Sequence, residues 1–281
     1  MDRPGAEQHG PAGADRRRVR PGAFDLLGIA AAGLGLAFLV IPLLAIFLRG
    51  DLAAGLRSDD TRQALLLSLQ TSLVSLAAMI VLGTPVAHML ATRRFRGRSL
   101  VLTAFELPLV LPPAVAGIGL LMAFGRRGLL GEELSFLGLE LPFTKVAVVM
   151  AMTFVASPLY VRQAVSAFEA VDGTLLDASR TLGAGAGRTF WRVALPLARG
   201  GLGAGAALGW ARAVGEFGAT IIFAGSLKGV TETAPIQIYA GLSENLDAGL
   251  ATAAVLIVVS AGVLLAAKLI VSGRARRFTL L

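Results

Sequence analysis

The 281-residue chain is 55% hydrophobic and only 16% charged, with a mean hydropathy of +0.73, more apolar surface than a soluble core can hide and a composition that a bilayer solvates. It has no cysteine, which excludes disulfides and thiolate metal sites. Its formal charge of +8 is dispersed between apolar segments, a pattern of membrane topology rather than of nucleic-acid binding.

The first 25 residues form a tail rich in Gly, Pro, Arg and Ala, expected to be disordered. Six segments of about 20 apolar residues or more follow, each long enough to cross a hydrocarbon core as a helix. The first, Leu26 to Leu48, ends in "AIFLRG" without a small-x-small cleavage site and reads as a retained anchor. The second runs from Leu65 to Leu90. The third, Val101 to Phe124, carries Pro108, Pro112 and Pro113, and the Pro112-Pro113 pair removes two successive backbone donors. A break there is tolerated only where protein or water satisfies the freed carbonyls, so the segment belongs in the bundle interior. It lines a substrate path or is a kinked packing helix. The fourth segment spans Phe143 to about Val165.

Next comes "LDASRTLGAGAGRTFWRVALPL", Leu176 to Leu197, within a polar stretch of about 168–199. The fifth apolar segment, Gly201 to Phe223, has glycines at 201, 205 and 209, a spacing that lets another helix approach closely. Ordinary packing is the preferred reading of these three. Within it Arg212 and Glu216 lie four apart on one helical face, as a structural ion pair or a pair supporting a pathway. The loop from Gly225 to Asp247 is polar and expected to be an exposed docking or solvated surface. Leu250 to Val271 is the sixth segment, and residues 272–281 form a short tail.

Lys and Arg set the orientation. Eighteen of the 26 fall in the N-terminal tail, the loop after the second segment, the end of the fourth segment with the loop beyond it, and the C-terminal end. Seven fall in the alternate loops. Cytoplasmic loops carry the excess, so both termini and the glycine-rich stretch are expected in the cytoplasm.

The glycine-rich stretch is not a phosphate-binding loop: Leu182 stands where the first glycine is needed, Arg188 replaces the lysine, and no strand precedes it. The only histidines are His9 and His88, too few for a metal cluster or a supported Ser-His-Asp site. No catalytic residue and no metal site is expected.

The stretch does resemble the cytoplasmic signature of ATP-binding cassette (ABC) importer permeases, E-A-A-x3-G-x9-I-x-L-P. Asp177-Ala178-Ser179 stand at E-A-A, Gly183 at the glycine and Val193-x-Leu195-Pro196 at I-x-L-P, with the spacing kept. The resemblance implies an all-α polytopic membrane protein with six transmembrane helices and the type I importer permease fold. It also implies a coupling loop that enters a cleft of a separate ATPase subunit, with Phe190 and Trp191 as apolar anchors and Leu195-Pro196 turning the chain back towards the membrane. The wording "LPLVLPPAVAGIGLLMAFGRRGLLG" and "GEFGATIIFAGSLKGVTETAPIQIY" is similar to the molybdate branch of the molybdate/tungstate/sulfate group.

From that likeness follow expected partners: a second copy of the chain, two ATP-binding cassette subunits that use ATP and Mg, an extracytoplasmic oxyanion-binding protein and membrane lipid. This chain would bind no cofactor and no nucleic acid. Pro112, Pro113, Arg212, Glu216 and Thr220 are the candidate pathway or gate residues. Sulfate, thiosulfate and tungstate permeases remain the nearest rivals. An ion-coupled secondary transporter would leave the signature without a purpose, and a non-transporting scaffold would leave the broken third segment without one.

Overall fold

The computed structural model describes residues 22–278 and is helical, with no strand among the described residues. The tail expected to be disordered lies outside them up to residue 21, and residues 23–25 already belong to a helix. That helix, α1, is Ala23–Arg49, about 40 Å long at 1.5 Å per residue. It is apolar on all faces, as suits a helix solvated by lipid.

The second unit begins at Ile46, within the last turn of α1, and takes in the helices that follow. Asp51 caps α2 (Leu52–Arg57) by accepting from the Ala53 and Ala54 amides at 2.9 and 3.0 Å. Ser58 caps α3, Asp59–Thr92. The third apolar segment is two helices, α4 (Arg98–Val110) and α5 (Pro113–Phe124), bent by 115°. Neither Pro112 nor Pro113 can donate to the preceding turn, so the helix ends there and restarts with Pro113 in the first turn, where no donor is needed. A short α6, Gly131–Phe136, precedes α7, Lys145–Glu169, whose start is capped by Thr144.

Beyond α7 come α8 (Gly173–Thr181), α9 (Ala186–Thr189), a wide five-residue turn at Phe190–Ala194, and α10 (Leu195–Val214). The fifth segment, expected as one span from Gly201 to Phe223, is instead α10 and a separate α11, Gly218–Ala224, interrupted at Gly215–Phe217. Then follow α12 (Ala234–Glu244) and α13 (Leu246–Phe278). Three helices, α1, α3 and α7, are each long and apolar enough to cross a membrane, and the bent α4–α5 pair passes together. α10 does not reach that hydropathy because it carries Arg199 and Arg212 among glycines and alanines.

The core of the second unit is α7 held between α3 and α10. Its facing side chains are small (Ala147, Ala151, Ala156, Ala164), so helix backbones come close, as they do where lipid removes the hydrophobic drive between helices. Hydroxyls join the helices across this contact. Thr84 and Tyr160 share a 2.5 Å hydrogen bond, the Thr153 hydroxyl donates to Ser75 at 3.0 Å, and the Trp210 indole donates to Ser72 at 3.2 Å.

The glycine row of α10 is part of that contact. A Cβ at Gly201 would stand 2.5 Å from Ala167, and one at Gly205 would stand 3.0 Å from Gln163. The row is therefore a helix-packing groove within the chain. Gly205→Leu should destabilise the protein by about 1–3 kcal/mol, seen as a lower Tm in nanodiscs. Gly200→Leu, where a Cβ meets open space, should leave the Tm unchanged or raised.

The loop expected to be exposed from Gly225 to Asp247 is largely built in. Thr231, Thr233, Ala234 and Ile236 are buried, and the Ala234 amide donates to Ser68 of α3 at 2.8 Å. The apolar "APIQIY" at its centre starts α12 and packs inward, which a reading of its net polarity misses. Glu232 is carried in with it, and burial pushes its carboxyl above the usual range, partly opposed by Lys228.

Candidate functional site

Two regions gather the residues singled out from the sequence. The first is α8 to the start of α10. Asp172 opens α8 by accepting from the Thr174 amide at 2.9 Å, and these hydrogen bonds hold its carboxyl below the usual range. Gly183 closes it with φ +81°, its amide donating to the Arg180 carbonyl at 2.9 Å and that of Ala184 to the Ser179 carbonyl at 3.1 Å. This double bond pattern with a left-handed glycine is a Schellman cap, and it explains a glycine at that position of the signature. The Ser179 and Thr189 hydroxyls then tie α8 to α9 at 3.1 Å.

The signature residues share one surface. Ala178, Ser179, Val193 and Pro196 line an open, mostly apolar groove with Leu182, which is 88% exposed. Arg188 and Arg192 border it. Asp177 lies beside the groove on α8, paired with Arg180 at 3.1 Å. The two expected anchors part company here. Trp191 is 68% exposed, its ring edge-on to that of Phe190 at 5.2 Å. Phe190 turns inward, its ring 4.8 Å from His88 and 6.1 Å from Phe168, so it fastens the segment to α3 and α7.

Leu195-Pro196 opens α10 rather than a loop. The backbone continues helically into α10, with Pro196 in its first turn. The wide turn just before it is the accommodation: the proline cannot donate to the Arg192 carbonyl and its ring crowds that carbonyl, so the helix widens and Leu195 bonds back to Phe190.

The second region is the meeting of the two helix breaks. A Cβ on Gly218, at the start of α11, would fall 2.7 Å from the Cβ of Pro113; one on Gly117 of α5 would fall 2.9 Å from the Ala219 carbonyl. Pro112-Pro113 and Gly215–Phe217 are thus brought together, and only glycines let α5 and α11 approach so closely. Glu216 is 1% exposed and uses both oxygens. Oε2 meets the Arg212 guanidinium at 2.7 Å, and Oε1 accepts from the Ala219 amide at 2.8 Å. The carboxylate so caps α11 and fixes the end of α10 to it, a positioning role that the i, i+4 spacing alone does not reveal. Thr220 is fully buried beside it, its hydroxyl without a hydrogen-bond partner. Among the described residues no three His, Asp or Glu side chains converge to hold a metal.

Residues 79–276 match the family described as the binding-protein-dependent transport system inner membrane component. The chain belongs to that family. It is accordingly a multi-pass inner-membrane permease with an all-α fold. Among similar proteins, the molybdenum transport system permease of Mycobacterium bovis is 42% identical over 234 residues, 82% of this chain and 89% of that protein. The Escherichia coli K12 protein of the same name is 41% identical over 65% of this chain and 80% of its own length. A probable molybdenum ABC transporter permease of Haloferax volcanii is 38% identical over 88% and 91%. Two solved structures share the permease fold. One is a bacterial ABC transporter that imports alginate (TM-score 0.70, 15% identity, covering 89% of this chain and 95% of that one). The other is a methionine ABC transporter in an inward-facing conformation (TM-score 0.58, 20% identity, covering 77% and 98%).

Proposed function

We propose that this permease is the membrane-spanning subunit of an ATP-driven molybdate importer. Two copies form the translocation pathway, two ATPase subunits bind ATP and Mg on the cytoplasmic side, and an extracytoplasmic binding protein delivers the oxyanion. The observation that carries the coupling role is the signature segment, folded as a capped, rigid α8–α9 unit with an exposed groove and an outward Trp191. The high identity to molybdenum permeases supports the substrate. In this reading the six spans are α1, α3, the α4–α5 pair, α7, α10 with α11, and α13, with both termini cytoplasmic. Lys and Arg bias supports that orientation.

Asp177, Ala178, Ser179, Gly183, Trp191, Val193 and Pro196 form or border the surface that meets the ATPase, while Phe190 and Leu195 hold it to the transmembrane body. Closure of the ATPase dimer moves this unit as a rigid body and shifts the spans between inward- and outward-facing states. The packed breaks at Pro112-Pro113 and Gly215–Phe217, with Thr220 between helices, are the bistable element near the gate. Arg212 is not a substrate ligand, because Glu216 largely neutralises it. The chain itself hydrolyses nothing.

The test is uptake of labelled molybdate by proteoliposomes holding the permease, its ATPase and its binding protein. Uptake should require ATP, compete with tungstate and resist excess sulfate. Strong inhibition by sulfate assigns the permease to the sulfate branch, and uptake driven by an ion gradient without ATP removes the ABC reading altogether.

A further inference from the structure

We propose that α4 and α7 form one wall of the aqueous path through the membrane, and that Arg162 on this wall contacts the oxyanion in transit. Each helix carries a polar stripe at helical spacing within an otherwise apolar segment. Ser99, Thr103 and Glu106 share one face of α4, and Arg162, Ser166 and Glu169 share one face of α7. The helices pack side by side and antiparallel, joined by an ion pair at each end of the seam. Arg98 meets Glu169 at 2.5 Å, and about 10 Å further along α4 Glu106 meets Arg162 at 3.7 Å. Ser99, Thr103 and Ser166 between them are exposed, with no protein partner for their hydroxyls among the described residues.

The chemistry of the seam selects what covers it. Hydrocarbon is a poor neighbour, since charged side chains in membrane helices face a bundle interior or a water-filled cavity. A second copy seated on the seam is a poor match too: interface cores are depleted in charge, and these four charges already balance within the chain. Water is the cover that fits. The two arginines then differ in what they have left to give. Arg98 donates through Nε to the Leu90 carbonyl at 2.6 Å and through Nη2 to Glu169. Arg162 approaches Glu106 through Nε at a distance beyond hydrogen-bond reach, and its side chain is 69% exposed. Its terminal nitrogens remain open, a fork that matches two oxygens of a tetrahedral oxyanion. Glu106 beside it opposes the anion and keeps the contact weak, as passage requires. The identity of the ion rests on the molybdate reading above, whereas the aqueous wall does not.

The chain has no cysteine, so single substitutions report water access without background. Thr103→Cys and Ser166→Cys, in the permease with its ATPase subunits in nanodiscs, are treated with a charged, membrane-impermeant thiol reagent. Both should react at least about tenfold faster than Leu36→Cys at the centre of α1, because hydrocarbon suppresses the thiolate. This arm needs no substrate, so it stands even if the transported ion proves to be sulfate. In proteoliposomes with saturating loaded binding protein, Arg162→Gln should lower molybdate uptake by about tenfold or more, and Arg162→Lys should restore part of it. An unchanged Tm shows that Arg162→Gln remains folded. Glu106→Gln breaks the same ion pair but leaves the fork, and should keep most of the uptake. An equal loss in Glu106→Gln shows that only the ion pair matters and overturns the contact, as does wild-type uptake by Arg162→Gln. Cysteines that react only with a lipophilic reagent, or that are shielded and cross-link to a second copy, overturn the wall.

Discussion

Gly183→Asp is expected to lower both ATPase association and molybdate uptake by at least about tenfold, which corresponds to about 1.4 kcal/mol of lost association. Gly183 sits at φ +81° and closes α8 through two backbone hydrogen bonds. A side chain at that φ costs about 1–2 kcal/mol locally, and it adds a carboxylate to an exposed surface beside Asp177. A Cβ at Gly183 meets no atom within 4 Å, so no clash inside the chain contributes. The whole effect therefore falls on the cap and on the surface offered to a partner. Gly183→Asn, better tolerated in the left-handed region, should retain more association than the aspartate. Co-purification with the ATPase and ATP-dependent uptake measure both variants; full activity of Gly183→Asp would show that this segment does not couple.

Glu216→Ala should destabilise the second unit by about 3 kcal/mol, the lower end for breaking a buried ion pair because Arg212 stays 30% exposed. It leaves a guanidinium unpaired and strips the Ala219 amide of its acceptor, so α11 loses its cap where α5 packs on it. Glu216→Gln keeps an oxygen for the Ala219 amide and should lose less. A double-mutant cycle with Arg212→Leu, read by thermal unfolding in nanodiscs, isolates the pair. A coupling energy near zero would show that the break is held by the Gly218–Pro113 contact alone.

Much of this was legible beforehand because the relevant signals are local. A run of some twenty apolar residues specifies a membrane helix wherever it ends up, and Pro112-Pro113 specify a break because two missing donors cannot be supplied from elsewhere. The spacing from Asp177 to Pro196 is likewise a property of the strand of text alone, and the structure supplies its reason in the Gly183 cap. The break at Gly215–Phe217 was less visible. No proline marks it, and glycine alone is tolerated inside membrane helices; Glu216, read as half of an i, i+4 pair, in fact spends its second oxygen on ending one helix and starting the next. The inward packing of "APIQIY" escaped for a related reason, since five apolar or small residues inside a polar loop carry too short a period to be told from exposed turn.

The sequence by itself determined the class of the protein: its membrane helices and the signature segment that marks a permease. Tertiary structure alone decided which residues meet. It set Phe190 against His88 while leaving Trp191 outside, joined two helix breaks more than a hundred residues apart, and brought Arg162 of α7 beside Glu106 of α4. Hydropathy and spacing are summed along the chain, whereas these contacts depend on how side chains of distant segments fit, and adjacent residues such as Phe190 and Trp191 can receive opposite environments from a single turn of helix.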